Sequence, residues 1–134
     1  MTMTVERSRD GYGETLGRLL DAIDKRGLRL FARIDHAGAA RDAGLELADE
    51  EVIVFGNPKA GTALMQDDPR IGIELPLRML IWRDGEATLV GYDDPRRLTD
   101  RYSVGAHAET LQQMHALLAA LAAEATGGAP VSFR

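Results

Sequence analysis

The segment Leu77-Arg78-Met79-Leu80-Ile81-Trp82-Arg83-Asp84-Gly85-Glu86-Ala87-Thr88-Leu89-Val90-Gly91-Tyr92 places two apolar runs on either side of Asp84-Gly85. An Asp-Gly pair between apolar runs is typical of a β-hairpin closed by a two-residue type I′ turn. In that register Arg83 lies opposite Glu86, which is a favourable pair of opposite charges. The sequence therefore predicts an antiparallel hairpin over residues 77–92.

Both faces of this hairpin are apolar. One face carries Leu80, Trp82, Ala87 and Leu89, and the other carries Leu77, Met79, Ile81, Val90 and Tyr92. Helices can cover one face, but an exposed second face would be an unusually large apolar patch for a monomer. We therefore expect a homodimer that buries the second face. The alternative is that residues 67–76 and the short helices cover it within one chain.

Strand patterns lie on the N-terminal side of the hairpin. Weak alternation over residues 2–7 predicts an edge strand. Clear alternation over residues 28–35 predicts a half-buried strand. Residues 51–56 are apolar on both faces, which places a third strand inside the sheet. Residues 67–74 are expected to form a loop.

Helical spacing of apolar residues predicts two long helices, over residues 14–26 and about 106–125. Asp35 is expected to cap a short helix over 36–43 that ends at Gly44. Thr62 is expected to cap another short helix. Because only two helices are long and the hairpin is antiparallel, the predicted fold class is α+β. It has two layers, a mixed or largely antiparallel sheet, and both long helices on one face.

Length and composition limit the function classes. A chain of 134 residues is expected to form one domain, over residues 1–126, followed by a flexible tail over 127–134 that contains Gly127, Gly128 and Pro130. The net charge of −5 disfavours a nucleic-acid partner. The sequence has no apolar run near the ~20 residues of a membrane span, and residues 1–10 do not resemble a signal peptide. We therefore expect no membrane partner and a cytoplasmic location.

The residues that could bind a metal are few. There is no cysteine, and the three histidines, His36, His107 and His115, are far apart in sequence. None of them forms the closely spaced pair that is typical of a metal-binding helix. The sequence therefore indicates no metal site, and it leaves any cofactor unidentified.

A first candidate site is the segment Phe55-Gly56-Asn57-Pro58-Lys59-Ala60-Gly61-Thr62, which follows an apolar strand. The glycine spacing is similar to a phosphate-binding P-loop, but Lys59 comes too early for that motif. Backbone N–H groups near Gly61 to Leu64 and the Lys59 ammonium are candidates to bind a small anion. Asn57 and Thr62 are further candidate ligand-binding residues. The alternative is structural: the glycines permit positive φ angles, and Thr62 caps a helix.

A second candidate site is Asp35-His36, at the end of a strand and the start of a helix. A neutral histidine beside a carboxylate can act as a general base or contact a ligand. Asp35 and His36 are therefore the candidate catalytic residues. The alternative is that Asp35 only caps the helix and His36 is a packed residue.

Several of these motifs resemble one known family. They are Phe31-Ala32-Arg33-Ile34-Asp35-His36-Ala37, Ala43-Gly44-Leu45, the segment from Phe55 to Thr62 with Met65, Leu75-Pro76-Leu77-Arg78, and Tyr92-Asp93-Asp94-Pro95. Together they look like domain of unknown function 302, over roughly residues 16–102. Asp93 departs from the asparagine that is more usual there. The resemblance implies an α+β fold similar to a single decorated copy of the TATA-binding-protein arrangement, and it implies dimers. It implies no established activity and carries no DNA binding with it.

Three functional hypotheses follow. The first is a homodimeric module that binds a small molecule or anion where the Gly56–Thr62 loop approaches Asp35-His36. The second is an enzyme that uses His36 as general acid–base while the loop amides stabilise a developing anion. The third is a structural or interaction scaffold without a ligand.

Overall fold

The computed structural model describes residues 3–128 of the chain. Its strands are β1 (Met3–Arg7), β2 (Arg29–Asp35), β3 (Glu50–Gly56), β4 (Leu77–Asp84) and β5 (Ala87–Asp93). Its α-helices are α1 (Tyr12–Lys25), α2 (His36–Asp42), α3 (Pro58–Asp67) and α4 (Ala108–Ala125). Short 3-10 helices cover Pro69–Ile73, Pro95–Asp100 and Gly105–His107.

The five strands form one sheet in the order β1-β5-β4-β3-β2, and every neighbouring pair is antiparallel. The predicted α+β class with a largely antiparallel sheet is confirmed. β1 lies at an edge and β3 in the interior, as the patterns of residues 2–7 and 51–56 predict. The predicted loop over residues 67–74 is different: it contains the 3-10 helix Pro69–Ile73.

The core lies between one face of the sheet and the two long helices, α1 and α4. Alternate residues of the central strands are fully buried on this face, and the apolar stripes of the helices meet them. The largest buried side chains include Phe55, Ile53, Met79, Ile81 and Val90 from the sheet, with Leu19, Ile23, Leu118 and Leu121 from the helices. Because the helical stripe has a period of 3.6 residues and the strand stripe a period of two, both patterns could be predicted from the sequence.

The hairpin between β4 and β5 has a different register from the one predicted. Asp84 pairs with Ala87, and Arg83 pairs with Thr88 rather than with Glu86. Gly85 has a φ angle of 62°, and no other residue than glycine has a positive φ in the described range. A positive φ at the first central position alone is the pattern of a type II′ turn, which spares Asp84 the strained conformation that a type I′ turn requires. The change moves the register by two residues and so leaves each side chain on its predicted face.

β2 is more exposed than its alternation predicts. All seven of its residues are exposed to solvent, whereas a half-buried strand is expected from the sequence. β2 is an edge strand that pairs only with β3, and the register shifts between Leu30 and Ala32, so that Phe31 forms an irregularity in the ladder. The prediction of a half-buried strand is therefore wrong, because the periodicity does not reveal which strand is at the edge.

The sheet face opposite α1 and α4 is called the open face here. Its central side chains, Val52, Leu80, Trp82 and Leu89, are half-buried. Its outer side chains are less covered, since Val5 is 47% exposed and Ile34 is 46% exposed. The described elements therefore leave this face incompletely covered.

The end of α4 is well defined. Gly127 donates its backbone N–H to the carbonyl of Glu124, and Gly128 donates to the carbonyl of Ala123, so these two residues complete the helix terminus. The remainder of the predicted tail, residues 129–134, lies outside the described residues.

Candidate functional site

The segment after β3 begins a helix earlier than the sequence predicts. The Asn57 side chain caps α3 by accepting a hydrogen bond from the Lys59 backbone N–H at 3.0 Å, and Pro58 occupies the first helical position. Thr62 lies inside this helix and is not its cap. Asn57-Pro58 is the stronger start signal, because asparagine is a better cap than threonine and proline fits the first turn.

This early start changes the proposed anion site. The Gly61 N–H donates to the Asn57 carbonyl at 3.2 Å. Thr62 likewise lies in the helix, where backbone N–H groups are used by the preceding turn. Residues 63 and 64 lie in the same helix. These amides are not free donors, so the predicted anion site of backbone N–H groups from Gly61 to Leu64 is wrong.

The glycines of the segment have a different role from the one that the structural alternative gives them. Positive φ angles occur at Gly27, Gly44, Gly85 and Gly127, and neither Gly56 nor Gly61 is among them. A Cβ atom at position 61 would lie 3.7 Å from Leu75 Cδ1 and 3.9 Å from Met65 Cε, in ordinary van der Waals contact. Gly61 therefore leaves room beside these two side chains without relieving backbone strain.

That room belongs to a cavity of about 390 Å³, called the α3 pocket here. It lies beside α3, between the first residues of β2 and β4, the last residue of β3 and one side of α4. Its lining residues are Leu28, Phe31, Gly56, Asn57, Pro58, Ala60, Gly61, Thr62, Met65, Leu75, Pro76, Leu77, Thr110, Gln113, Met114 and Leu117. Most of the lining is apolar, and its polar side chains are all neutral.

The structure brings some of the predicted ligand-binding residues to the α3 pocket and leaves others out. Asn57, Gly61 and Thr62 line the pocket, whereas Lys59 and His36 do not. Lys59 is exposed to solvent on the outside of the first turn of α3. The positive charge that the sequence places in this segment therefore does not face the cavity.

Asp35-His36 lies at the other end of the sheet. β2 and β3 are antiparallel: Arg29 pairs with Gly56, but Asp35 pairs with Glu51. Five residues of strand separate Glu51 from Gly56, which is roughly 17 Å at the rise of a β-strand. The predicted approach of the Gly56–Thr62 loop to Asp35-His36 is therefore wrong. The C-terminal ends of two neighbouring strands lie side by side only when the strands are parallel. β2 and β3 are antiparallel.

Asp35 caps α2, as the structural alternative for the Asp35-His36 site predicts. Its carboxylate accepts a hydrogen bond from the Gly38 N–H at 2.9 Å and caps α2. His36 is exposed at the first position of α2, and no hydrogen bond joins it to Asp35 in the described structure. The geometry does not form an aspartate–histidine pair there.

A buried ion pair near this end was not anticipated from the sequence. Glu51 is only 5% exposed and accepts two hydrogen bonds from Arg33, at 2.6 and 3.3 Å. Burial raises the pKa of the nearby Tyr12 hydroxyl to about 12, and the negative charges of Glu51 and Asp49 add to the increase. Each oxygen of Glu51 accepts a hydrogen bond from Arg33, so this ion pair stabilises the pairing of β2 with β3.

Other parts of the pocket wall were also missed as site residues. Phe31, Thr110 and Gln113 line the cavity from β2 and α4. Nothing in their local sequence marks them, because they become neighbours only in the folded chain, where β2, α3 and α4 border the same cavity. Within residues 3–128 there is no group of three or more histidine, aspartate or glutamate side chains that could hold a metal ion.

Comparison with known proteins gives a family match over most of the chain. The family model described as "Domain of unknown function DUF302" matches residues 3–121. A solved structure, "Crystal structure of uncharacterized conserved protein DUF302 from Bacillus stearothermophilus", superposes with a TM-score of 0.83 at 18% sequence identity. The match covers 93% of this chain and 98% of that one. The likeness shows the fold.

Curated relatives match over a shorter segment. "Fluoride-specific ion channel FluC 1" of Brucella suis biovar 1 (strain 1330) is 43% identical over 104 residues, which is 77% of this chain and 41% of the relative. "Fluoride-specific ion channel FluC 2" of Brucella melitensis biotype 1 (strain ATCC 23456 / CCUG 17765 / NCTC 10094 / 16M) is also 43% identical over 104 residues, which is 38% of its length. The chain thus spans about two fifths of the curated relatives it matches. Among the helices of residues 3–128, none has the length and apolar character needed to cross a bilayer.

Proposed function

The chain belongs to the DUF302 family, and from that starting point we propose that it is a homodimeric module that binds a small, largely apolar molecule in the α3 pocket. The observation that carries this proposal is the cavity of about 390 Å³ beside α3. Ligand pockets in proteins are typically concave, mostly apolar and ~300–1,000 Å³ in volume, with a few polar groups that orient the ligand. The α3 pocket has each of these properties.

The lining favours a neutral ligand over an anion. No charged side chain is among the residues that line the pocket, and the backbone amides of Gly61 and Thr62 are committed to helix α3. An isolated anion moved into apolar surroundings loses its hydration without a compensating charge, which is costly. An apolar ligand gains ~25 cal/mol for each Å² that it removes from water.

Four neutral polar side chains can orient such a ligand. Asn57 uses its carbonyl oxygen to cap α3, which leaves its NH₂ group as a donor. The hydroxyl groups of Thr62 and Thr110 can donate or accept, and so can the amide of Gln113. We therefore propose a ligand with an apolar body and at least one neutral hydrogen-bonding group, such as an alcohol, a ketone or an amide.

The enzyme hypothesis based on His36 is less well supported. His36 lies about 17 Å along the sheet from the α3 pocket, so it would need a second, separate binding site near Asp35. A general base must lie within hydrogen-bonding reach of the proton that it removes. The described residues offer no comparable cavity lined by His36.

The proposal can be tested by filling the pocket. Gly61→Leu places an isobutyl group in the space between Leu75 and Met65. A panel of neutral alcohols, ketones and amides with apolar bodies is screened by thermal shift, beside inorganic phosphate and acetate. A ligand at 100 times its Kd adds about 2.7 kcal/mol to the stability of the unmodified protein. We expect the increase in Tm to disappear in Gly61→Leu.

Gly17→Leu is the matched control, because Gly17 is also a helical glycine and a Cβ atom there meets no atom within 4 Å. This variant should keep the full increase in Tm with the same compounds. An equal increase in Gly61→Leu would contradict binding in the α3 pocket. An increase given only by phosphate or acetate, and abolished by Lys59→Ala, would instead support the anion hypothesis.

A further inference from the structure

The open face carries a row of five apolar positions, one from each strand. The pairing places Val5 beside Gly91, Gly91 beside Leu80, Leu80 beside Val52, and Val52 beside Ile34. The two end residues, Val5 and Ile34, are 47% and 46% exposed. The row therefore crosses the whole sheet from edge to edge, and we call it the apolar row.

Gly91, in the second strand of the row, is buried, because neighbouring side chains cover it. A Cβ atom at Gly91 would lie 2.6 Å from Met3 Sδ and 3.0 Å from Trp82 Cζ3. The side chains of Met3 and Trp82 therefore lie across the row where Gly91 leaves space. A groove of about 690 Å³ begins beside Met3 and Gly91 and is lined in part by Val52, Leu80 and Arg78. Its other side is lined by the 3-10 helix Pro95–Asp100 and by charged side chains that include Glu74 and Arg101. The groove therefore reaches the middle of the apolar row at Leu80 and Val52.

Charged residues flank the apolar row in a regular way. On one side, a cross-strand line joins Arg7, Leu89, Trp82 and Glu50. On the other side, Asp93 lies beside Met3, and Arg78 lies beside Val54. Among the residues of these two cross-strand lines, each side thus carries one positive and one negative group. Within residues 3–128, the structure gives Arg7, Glu50 and Asp93 no ion pair or side-chain hydrogen bond, and Arg78 has only a 3.7 Å contact with Glu74.

We infer that the partner on the open face is a second copy of this chain, related by a two-fold axis that runs along the apolar row. This rests on the homodimer of the proposed function and gives its interface. The rotation places the side with Arg7 and Glu50 of one copy against the side with Asp93 and Arg78 of the second copy. Arg7 then approaches the partner's Asp93, and Glu50 approaches the partner's Arg78. Every contact occurs twice, as in an isologous interface.

The expected size of the interface agrees with a dissociable dimer. Five strands about 4.8 Å apart and three lines of side chains about 7 Å apart cover roughly 24 Å by 20 Å when side chains are included. Two copies would then bury about 1,000 Å² in total, at the lower limit of specific interfaces. We expect a dimer that dissociates on dilution, in which the two sheets lie inside and the helices outside.

Analytical ultracentrifugation over a concentration series tests the apolar row. Leu80 lies near the two-fold axis, so Leu80→Glu places two carboxylates against each other in an apolar surface. We expect the dimer Kd to rise at least 100-fold. Ile73→Glu is the control, because Ile73 is 81% exposed and lies outside the open face. Its dimer Kd should equal that of the unmodified protein. Far-UV circular dichroism confirms that both variants are folded.

A charge exchange tests the two-fold axis. Arg7→Asp and Asp93→Arg each place like charges together across the interface, and each should raise the dimer Kd about tenfold. The double variant restores opposite charges and should recover most of the affinity. Rescue within one chain is excluded by distance, because Arg7 pairs with Leu89, and four further residues of strand, roughly 13 Å, separate Leu89 from Asp93.

The outcomes separate this inference from the proposed function. A monomer at all concentrations would overturn both the interface and the homodimer, while ligand binding is judged independently by the thermal-shift screen. A dimer that Leu80→Glu does not weaken would overturn the interface alone. Single charge variants without effect, or a double variant without rescue, would overturn the two-fold axis along the row.

Discussion

Asp68 shows at the scale of one residue how a buried charge joins two segments. It is only 4% exposed. Its carboxylate accepts hydrogen bonds from the Arg70 guanidinium at 2.9 and 2.8 Å, and from the Ser103 backbone N–H at 2.9 Å. These bonds fasten the 3-10 helix after α3 to the chain that leads into α4. The Arg70 side chain, and then the Ser103 amide, hold the pKa of the Asp68 carboxyl well below its usual value.

This lowered pKa predicts a loss of stability in acid. The native state favours the ionised carboxylate, so its contribution is complete above the ordinary pKa of 3.8 and is lost as pH falls through the lower native value. Asp68→Asn should lower Tm at pH 7 and give a flatter dependence of Tm on pH between 5 and 2. The difference between the two pH profiles is the measurement, since other carboxyl groups titrate in both proteins. Parallel profiles would contradict the role given to Asp68.

Sequence signals for helix ends predicted the structure correctly where a single local interaction decides the end. Gly44 follows α2 with a φ angle of 77°, and Asp35 caps that helix, as the sequence predicts. Thr62 fails as a cap because Asn57-Pro58 is a better start signal, with its cap residue five positions earlier. Asp68 could not be recognised, since its partner Ser103 is distant in sequence and comes near only in the folded chain.

Among the elements, α3 shows how a helix depends on its first turn. It has ten residues, and isolated helices of this length are marginal in water. Asn57 satisfies one of the free N–H groups of that turn, and Pro58 sets its first φ angle. The cap therefore also fixes the wall of the α3 pocket.

We predict that Asn57→Ala destabilises the protein by about 1 kcal/mol, because an N–H group of the first turn loses its partner. Asn57→Ser keeps a side-chain acceptor and should cost a few tenths of a kcal/mol. Urea unfolding without ligand measures both values. Equal losses in the two variants would show that the cap is not the cause.

Elements could be identified from periodicity, but their neighbours could not. The alternation in β2 predicts a strand correctly, yet it gives no information on whether a sixth strand or a helix covers it. The hairpin was located correctly, and its register was wrong by two residues because Asp84-Gly85 and Gly85-Glu86 both satisfy the turn. The positive φ angle at Gly85 decides between them.

For the whole molecule, the topology decides which motifs share a site. Every neighbouring pair in the order β1-β5-β4-β3-β2 is antiparallel. The C-terminal end of β2 therefore lies beside the first residues of β3, and the C-terminal end of β3 lies a strand length away. Two motifs that are only twenty residues apart are thus separated by the length of a strand. The pocket is instead completed by α4, and no local pattern indicates that contact.

The two-layer architecture predicts that truncation of two isoleucines, Ile53 and Ile73, has very different effects on the free energy of unfolding. Ile53 is fully buried between the sheet and the helices, and Ile73 is 81% exposed. Ile53→Ala should destabilise the protein by about 2–5 kcal/mol, since it leaves a cavity in the core. Ile73→Ala should change stability by less than about 0.5 kcal/mol. Guanidinium unfolding measures both, and similar losses would contradict the assigned core.

The irregularity at Phe31 affects whether another chain can add a strand to the sheet beside β2. A sixth strand added along β2 would meet a bent border instead of a continuous ladder, and such bulges discourage edge-to-edge pairing. The opposite border, β1, offers only five residues. Linear polymerisation into fibres is therefore disfavoured at both borders. In the dimer that we propose, association through the open face ends at two copies, because each copy covers the surface that a third would need.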